Sequence, residues 1–346
     1  MKKYKYQKKS KYNRSNNIFK KRKKKSKKNI SEGFIITTII GKVIKAILVS
    51  VLSIILIRFY SLKSNPKEIK KLKVALCTMG RRENLYIKEF VSYYLALGVD
   101  KLFLYDDNIE EKEKFINAIT PNDSIIIEYC SNYSITKQGQ AFTHCYSNHK
   151  DEYDWIIMVD MDEYLIINNG TLKQYLSDEI FKKCDFIKIH WKLTTDNNLL
   201  HYENKSLFER FKEPYMRSKY IKTILKGGIN KLKYAIHSPI FSPERNVTCD
   251  NAGRIVNYTK LGFQSLRPFN GDKAYILHFY YKSTEEHINK FKRGYRNWPQ
   301  TGLNPWINGY FRDNKLTIEK IEMLEREFNI TLDKLRNKLF KKKSIN

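Results

Sequence analysis

The chain has 346 residues, of which 42% are hydrophobic and 14% aromatic, and it carries a formal net charge of +29 at pH 7. This apolar content is enough for one large folded domain and excludes a wholly disordered protein. The charge is concentrated at the start, because residues 1–33 contain 15 Lys or Arg and only one acid, Glu32. Such a low-complexity basic segment predicts a disordered tail.

An apolar stretch, residues 34–60, follows the tail directly. About 20 apolar residues span a bilayer. The flank that is rich in Lys and Arg stays on the cytoplasmic side of the membrane. We therefore expect a single-pass membrane protein with a signal anchor, a cytoplasmic N-terminus and a C-terminal bulk that is luminal, as in the Golgi or ER, or otherwise extracytoplasmic. Lys42 and Lys45 interrupt the stretch near its basic end, so a cleaved signal peptide or an interfacial helix remains an alternative.

Strands and helices alternate after a linker over residues 61–72. Strands are predicted over 73–78, 101–105, 124–129 and 154–160, and helices over 83–98, 110–119 and 138–149. Strands separated by helices pair in parallel through right-handed crossovers. The predicted fold class is α/β, with a Rossmann-like, mainly parallel sheet in a domain over residues 73–312. The pattern beyond residue 190 is irregular, as in long functional loops, and a helix over 317–328 and a basic end occupy residues 313–346.

Acidic residues follow the strand WIIMVD and raise the question of what compensates their charge. Ligands bind beyond the carboxyl ends of parallel strands, where Thr78 and Asp106 are also expected. Asp160 and Asp162 are two residues apart on extended chain and point to one side. Their oxygens suit Mn²⁺ or Mg²⁺, which in turn bind substrate phosphates. Glu163 is a further candidate at this site.

A second constellation lies in YILHFYYKSTEEHINKFKRGY, residues 275–295. Ser283 and Glu286 predict a capping box at the start of a helix, which Gly294 ends. His278 is a candidate third metal ligand. The cations predicted to neutralise a diphosphate leaving group are Lys282, Lys290 and Arg293. The alternative interpretation is a solvated basic helix.

Four residues between these constellations are weaker candidates. Trp191 is of a type that stacks on sugar faces, and Asp196 and Glu209 are candidate general bases for an acceptor hydroxyl. The alternative for both carboxylates is a capping or surface role. His237 is either a packed histidine or a member of the site.

The five cysteines form no CxxC pair: they are Cys77, Cys130, Cys145, Cys184 and Cys249. An odd number at these spacings predicts neither a zinc site nor a complete disulfide framework. A single bridge is left open.

Four blocks occur in a characteristic order: CTMGRRENLYIKEFVSYYLALGVDKLFLYDDN, QAFTHC, WIIMVDMDEYL and HFYYKSTEEHINKFKRG. Together, over about residues 73–295, they resemble the ordered motifs of glycosyltransferase family 92 and related family 2 like glycosyltransferases. The resemblance implies a GT-A fold, a UDP-sugar donor, often with galactose, a divalent metal, and inversion at the anomeric carbon. A glycan, glycoprotein or glycolipid is the implied acceptor.

The resemblance also assigns residues. It places the metal on Asp160 and Asp162, and it matches Gln140 and Cys145 to the Q…C pair of the family motif. With the cations above, the predicted donor-binding set is Thr78, Arg81, Glu83, Asp106, Asp107, Gln140, Lys282, Lys290 and Arg293. Arg81-Arg82, Phe90 and Asp107 depart from the usual motif, which leaves the base and sugar of the donor open.

Two other classes of function compete with a transferase. The basic tail fits a non-catalytic protein that binds a membrane surface or, less well, nucleic acid through phosphate neutralisation. A metal-dependent hydrolase on a similar sheet is the second rival. Nucleic acid is not the expected partner, because the tail runs directly into the apolar stretch.

Overall fold

The computed structural model describes residues 72–212, 215–241, 246–256, 268–294 and 302–343. The predicted tail, the anchor over 34–60 and the linker up to residue 71 lie outside these ranges. Within them, no helix is both long enough and apolar enough to cross a bilayer.

The described strands and helices are numbered in chain order. The strands are β1 (Val74–Gly80), β2 (Lys101–Asp106), β3 (Ile125–Tyr129), β4 (Trp155–Met158), β5 (Glu163–Ile167), β6 (Phe186–Leu193), β7 (Met216–Lys226), β8 (Lys233–Tyr234), β9 (Pro239–Phe241), β10 (Thr248–Asp250) and β11 (Ala274–His278). The helices are α1 (Ile87–Leu97), α2 (Gln138–His149), α3 (Leu172–Leu176), α4 (Leu207–Arg210), α5 (Thr284–Arg293), α6 (Leu303–Asp313), α7 (Ile318–Phe328) and α8 (Asp333–Lys343).

Nine of the described strands form one mixed, mostly parallel sheet in an α/β fold. Its order is β3-β2-β1-β4-β7-β6-β11-β5, and β10 pairs with β6. The neighbours β3, β2, β1 and β4 are all parallel, as the alternation of strands and helices predicts. β7 is antiparallel to both β4 and β6, and β5 is antiparallel to β11. The sheet is therefore parallel on one side and mixed on the other.

The core covers both faces of the parallel half. Apolar residues of α1 such as Phe90 and Tyr94 pack on one face with Leu76 and Ile157. Residues of α2 pack on the other face, together with alternate side chains of the same strands. Burial on both faces explains why these strands read as nearly continuous apolar runs.

Two predictions about secondary structure were wrong. The helix over 110–119 is two short 3₁₀ segments, Glu111–Glu113 and Phe115–Asn117. The Asp106 carboxylate accepts the Phe115 N–H at 2.8 Å, which draws Phe115 into the core and interrupts the helix. The region beyond residue 190 was read as irregular, yet it contains β7, whose last residues are buried in the sheet.

The cysteines form more bridges than the spacing suggested. Cys77 in β1 is bonded to Cys145 in α2, and Cys184, just before β6, is bonded to Cys249 in β10. Cys130 is buried and takes part in neither bridge. The partners are 68 and 65 residues apart, so no local sequence pattern indicated either pairing. The partners meet only because α2 packs on the sheet and β10 pairs with β6.

Candidate active site

The acidic cluster lies in a tight turn at the carboxyl end of β4, where parallel-sheet topology predicts a site. The Asp160 N–H donates to Glu163 Oε2 at 2.9 Å, and the Glu163 N–H donates back to the Asp160 carbonyl at 3.1 Å. Asp162 lies between them in this acidic turn (residues 160–163). Glu163 and Asp162 are buried, whereas the Asp160 side chain is 27% exposed.

The protein's own cations compensate the two aspartates. Asp160 Oδ1 accepts hydrogen bonds from Lys222 Nζ at 2.6 Å and from the Gln138 amide. Asp162 Oδ2 accepts one from Lys290 Nζ at 2.7 Å, and its Oδ1 lies 3.2 Å from His278 Nε2. The acidic turn is thus joined to β7 through one aspartate and to α5 through the other.

Burial and these partners act against each other on the ionisation of the cluster. Burial alone would raise the pKa of Asp162, but Lys290 and His278 hold it well below its usual range. Burial, followed by the neighbouring Asp160, raises the pKa of Glu163 well above its usual range, although Lys222 opposes this. Burial lowers the pKa of His278 despite the charge of Asp162. The turn therefore combines a strongly held anion with a carboxyl that favours its proton.

A second buried ion cluster joins the first motif block to α5. Glu83 lies 3.3 Å from Lys282 Nζ and 2.7 Å from Arg293 Nη1. The guanidinium of Arg81 donates to the carbonyls of Arg293 and Gly294 at 2.9 and 2.8 Å. Although burial opposes it, the two cations lower the pKa of Glu83. These contacts hold α5 over the ends of β1 and β4.

A cationic pocket of about 240 Å³ opens beside this cluster. It follows the carboxyl ends of β1 and β2, and it is lined by Arg81, Arg82, Asn108, Ile109, Glu110, Glu113, Lys292 and Arg293. The lining contains four cations and two carboxylates. Arg82 is paired with Glu110, Lys292 with Glu327 and Arg293 with Glu83, so an anion would share these cations with carboxylates. The predicted residues Arg81 and Arg293 thus both reach one cavity.

Aromatic rings surround His278 on the other side of the acidic turn. Trp191 lies at an irregularity of β6, a feature that often re-aims side chains near sites. Its ring centroid is 4.4 Å from that of His278, 5.1 Å from that of His237 and 5.3 Å from that of Tyr220. His237 Nδ1 lies 3.0 Å from the Ile221 carbonyl oxygen. Burial, followed by the charge of Lys222, lowers the pKa of His237 to about 3.

Several predicted donor-binding residues make contacts that organise local backbone. Asp106 accepts the N–H groups of Asn108 and Phe115, both at 2.8 Å. Gln140 caps the first turn of α2 by accepting the Lys137 N–H at 3.0 Å. Thr78 and Asp107 are buried, and the Asp107 N–H donates to the Gly80 carbonyl.

The two candidate bases occupy different settings. Asp196 is buried and accepts from Lys320 Nζ at 2.5 Å and from the Tyr310 hydroxyl, so it binds the C-terminal helices to the sheet. Glu209 is exposed and accepts the Ser206 N–H at 3.1 Å in a capping box. Glu209 thus has the capping role of the alternative interpretation, whereas Asp196 is a buried ion-pair partner.

Sequence reasoning missed Lys222, Gln138 and Tyr220. Lys222 is a buried ammonium between Asp160 and Glu163, 2.6 and 3.7 Å away. The one signal was its position between Ile221 and Thr223 in an apolar run, which the many other lysines of the chain obscured. Gln138 and Tyr220 had no distinguishing pattern at all.

The side chains of the acidic turn decide whether a divalent cation fits there. In the ranges that the structure describes, no three His, Cys, Asp or Glu residues form a ready-made metal site. The carboxylate oxygens are of the hard type that Mg²⁺ and Mn²⁺ prefer. In addition, Glu163 Oε1 is buried and accepts no hydrogen bond from any described residue. The oxygens of the turn are thus of the type that such a cation prefers, while Asp160 and Asp162 are paired with Lys222 and Lys290 in this structure.

Comparison with known proteins agrees with the motif order. The sequence profile of glycosyltransferase family 92 matches residues 70–331. Family 92 proteins of Oryza sativa subsp. japonica and Arabidopsis thaliana are each 27% identical, over 31% and 30% of this chain, and one of Ricinus communis is 26% identical over 29%.

Each of these alignments covers 18% of the relative, so the match spans less than a fifth of their length. The crystal structure of HddC from Yersinia pseudotuberculosis aligns with 63% of this chain and 97% of its own at 12% identity. The TM-score of this alignment is 0.29. On the profile match, which includes the acidic turn and α5, the chain belongs to glycosyltransferase family 92.

Proposed function

We propose that this protein is a metal-dependent, inverting glycosyltransferase of the GT-A type. It would move a sugar, galactose being the first candidate, from a UDP-sugar to a hydroxyl of a glycan or glycoconjugate. The observation that carries the proposal is the 2.7 Å contact between Asp162 and Lys290. It joins the block that carries Asp160 and Asp162 to the block that carries the predicted diphosphate-binding cations, 128 residues further along the chain.

The cationic pocket supports a diphosphate as part of the donor. A nucleoside diphosphate brings several negative charges, which the lining residues Arg82 and Lys292 would attract together with Arg81 and Arg293. Lys282 and Lys290 are held by buried carboxylates, so they are fixed in place before a ligand arrives. Fixed cations stabilise charge that develops on a leaving group without reorganisation cost at the moment of reaction.

Asp160 and Asp162 would hold the metal, with His278 as a further ligand. When bound, Mn²⁺ or Mg²⁺ would neutralise charge on the departing diphosphate. Such ions commonly take one or two carboxylates and complete their shell with substrate phosphates and water. Lys222 and Lys290 would share the carboxylates with the ion.

The reaction exchanges one bond at the anomeric carbon for another. The bond from that carbon to the diphosphate oxygen breaks, and a bond to the acceptor oxygen forms on the opposite face. The acceptor proton passes to a base. The contacts of Asp196 and Glu209 favour structural roles for both, so neither is assigned that task.

The disulfides support a luminal or other extracytoplasmic location of the domain. Disulfide bonds persist in oxidising compartments and are rare in the cytosol. Both bridges are formed by cysteines that are buried in the core. The apolar stretch over residues 34–60 would anchor the domain there.

Binding of UDP and UDP-sugars to the full-length chain, with and without Mn²⁺, tests the proposal. Wild-type protein should bind UDP in a Mn²⁺-dependent manner. Asp162→Asn should weaken that binding at least about ten-fold, which corresponds to about 1.4 kcal/mol. Asp151→Asn is the matched control, because Asp151 is exposed and its ion pair is with the neighbouring residue, Lys150.

Two results would count against the proposal. If folded wild-type protein binds no uridine nucleotide under any metal condition, the donor site is wrong and a role of the basic tail becomes the better hypothesis. If a UDP-sugar is split equally fast with and without acceptor glycans, the protein is a hydrolase.

A further inference from the structure

Tyr220 presents an aromatic face close to the acidic turn. It precedes Lys222 by two residues in β7, and both side chains lie against the segment 236–237: the Tyr220 ring centroid is 6.0 Å from that of His237, and Lys222 Nζ donates to the Ile236 carbonyl at 3.0 Å. Two residues of a strand cover about 7 Å. Lys222 contacts Asp160, so Tyr220 lies about 7 Å along the strand from a residue of the acidic turn's own contact set.

The aromatic group and the cationic pocket lie on opposite sides of the acidic turn. The pocket follows β1 and β2, the turn follows β4, and the rings belong to β7 and β6. Since the sheet order is β2-β1-β4-β7-β6, the turn separates the two features. A donor whose diphosphate lies in the pocket leaves the aromatic side to another ligand.

Tyr220 and Trp191 are arranged as a platform and its support. The two rings are stacked, with 30° between their planes. Trp191 is only 8% exposed, whereas Tyr220 is 40% exposed, so Tyr220 offers the accessible ring. The apolar C–H face of a pyranose packs on such a ring, while its hydroxyls face polar groups.

A buried donor beside this platform also suits a hydroxyl-rich ligand. Nε1 of Trp191 is buried and meets no hydrogen-bond acceptor among the residues that the structure describes. An unpaired buried donor carries a free-energy cost that a ligand oxygen would remove.

We propose that Tyr220, supported by Trp191, is the platform on which a pyranose ring of the acceptor glycan stacks. This inference rests on the proposed function, because it takes the pocket as the donor side. Tyr220 is assigned a positioning role: it orients the acceptor hydroxyl toward the acidic turn and takes no part in bond making.

The test measures sugar and nucleotide binding separately on the full-length chain. Saturation-transfer NMR with methyl β-galactoside and methyl β-glucoside reports the platform, and Mn²⁺-dependent UDP binding reports the donor site. Tyr220→Ala and Tyr220→Leu should bind the glycosides about ten-fold more weakly, whereas Tyr220→Phe should bind them like the wild type. UDP binding should be unchanged in all three, which also reports folding.

Two controls make the result specific. Tyr133→Ala removes a tyrosine that is 43% exposed just after β3, at the far side of the sheet, and should bind glycosides normally. Sorbitol, an open-chain polyol without a pyranose face, should give no saturation transfer with any variant.

Each remaining outcome decides between the two proposals. Wild-type protein that binds UDP but no methyl glycoside, or Tyr220→Ala that binds glycosides normally, overturns the platform and leaves the transferase proposal standing. Glycoside binding that depends on Tyr220 without any UDP binding keeps the platform and overturns the donor site. If Tyr220→Ala weakens a UDP-sugar but not UDP, the platform holds the donor sugar and the acceptor assignment is wrong.

Discussion

Lys222 is the residue on which the charge balance of the acidic turn depends most. Its buried ammonium forms an ion pair with Asp160 and lies 3.7 Å from Glu163. Burial lowers the pKa of Lys222, but Asp160 and Glu163 outweigh burial and raise it, so the lysine is charged. Replacing it by an apolar residue leaves carboxylates without their partner, which is costly in a protein interior.

Lys222→Met should therefore lower the free energy of unfolding by about 3 kcal/mol in urea denaturation. Lys219→Met, an exposed lysine of the same strand, should change it by no more than about 0.5 kcal/mol. Mn²⁺ should restore part of the loss, because a divalent ion can replace the missing charge. Equal stability of Lys222→Met and wild type would show that the turn does not need this cation.

At the scale of elements, the Cys77–Cys145 bridge fixes α2 against β1. Gln138, which donates to Asp160, begins that helix, so its docking also positions a group at the acidic turn. A bridge that closes a loop of 68 residues restricts the unfolded chain considerably. The chain-entropy relation gives about 4 kcal/mol for such a loop.

The double variant Cys77→Ala, Cys145→Ala should accordingly unfold at a lower urea concentration, with a loss of about 4 kcal/mol. Cys130→Ala is the control, since Cys130 is buried in the same core cluster but forms no disulfide. It should lose no more than about 1 kcal/mol. A double variant as stable as Cys130→Ala would mean that packing alone holds α2 in place.

At the scale of the whole molecule, buried histidines determine how stability responds to mild acid. Burial lowers the pKa of His190, His237, His278 and His287. In each case the unfolded chain binds a proton more readily than the folded protein does. Stability from these groups is therefore present above the ordinary histidine pKa and is lost as pH falls below it. The raised pKa of Glu163 acts in the opposite direction.

His237 alone provides a measurable part of this dependence, because its pKa falls from 6.5 to about 3. Between about pH 7.5 and pH 5.5 it should account for a loss of about 1.4 kcal/mol. Comparing urea unfolding of wild type and His237→Gln at both pH values isolates the contribution. On acidification, the free energy of unfolding of His237→Gln should fall by about 1.4 kcal/mol less than that of the wild type. Equal falls in the two proteins would show that His237 is protonated in the folded state.

The amino-acid sequence by itself was sufficient for the local parts of this protein. The helix over Gln138–His149, the capping box of α5 and the parallel strands up to β4 follow from periodicity and capping chemistry, which act over a few neighbouring residues. Motif order indicated the family. The structure brings the predicted residues Asp162 and His278 to 3.2 Å of each other, and their sharing of a metal with Asp160 stays a prediction.

Tertiary structure alone decided which groups face that site. Lys222, Tyr220 and the disulfide partners come from segments far apart in the chain, and β7 inserts between β4 and β6 against the order of the sequence. Local patterns carry no information about such pairings, because the free energy that selects them arises only when the sheet closes and buries both partners. For the same reason Glu83, Lys282 and Arg293 looked like independent ligand groups in the sequence but form one buried ion cluster in the fold.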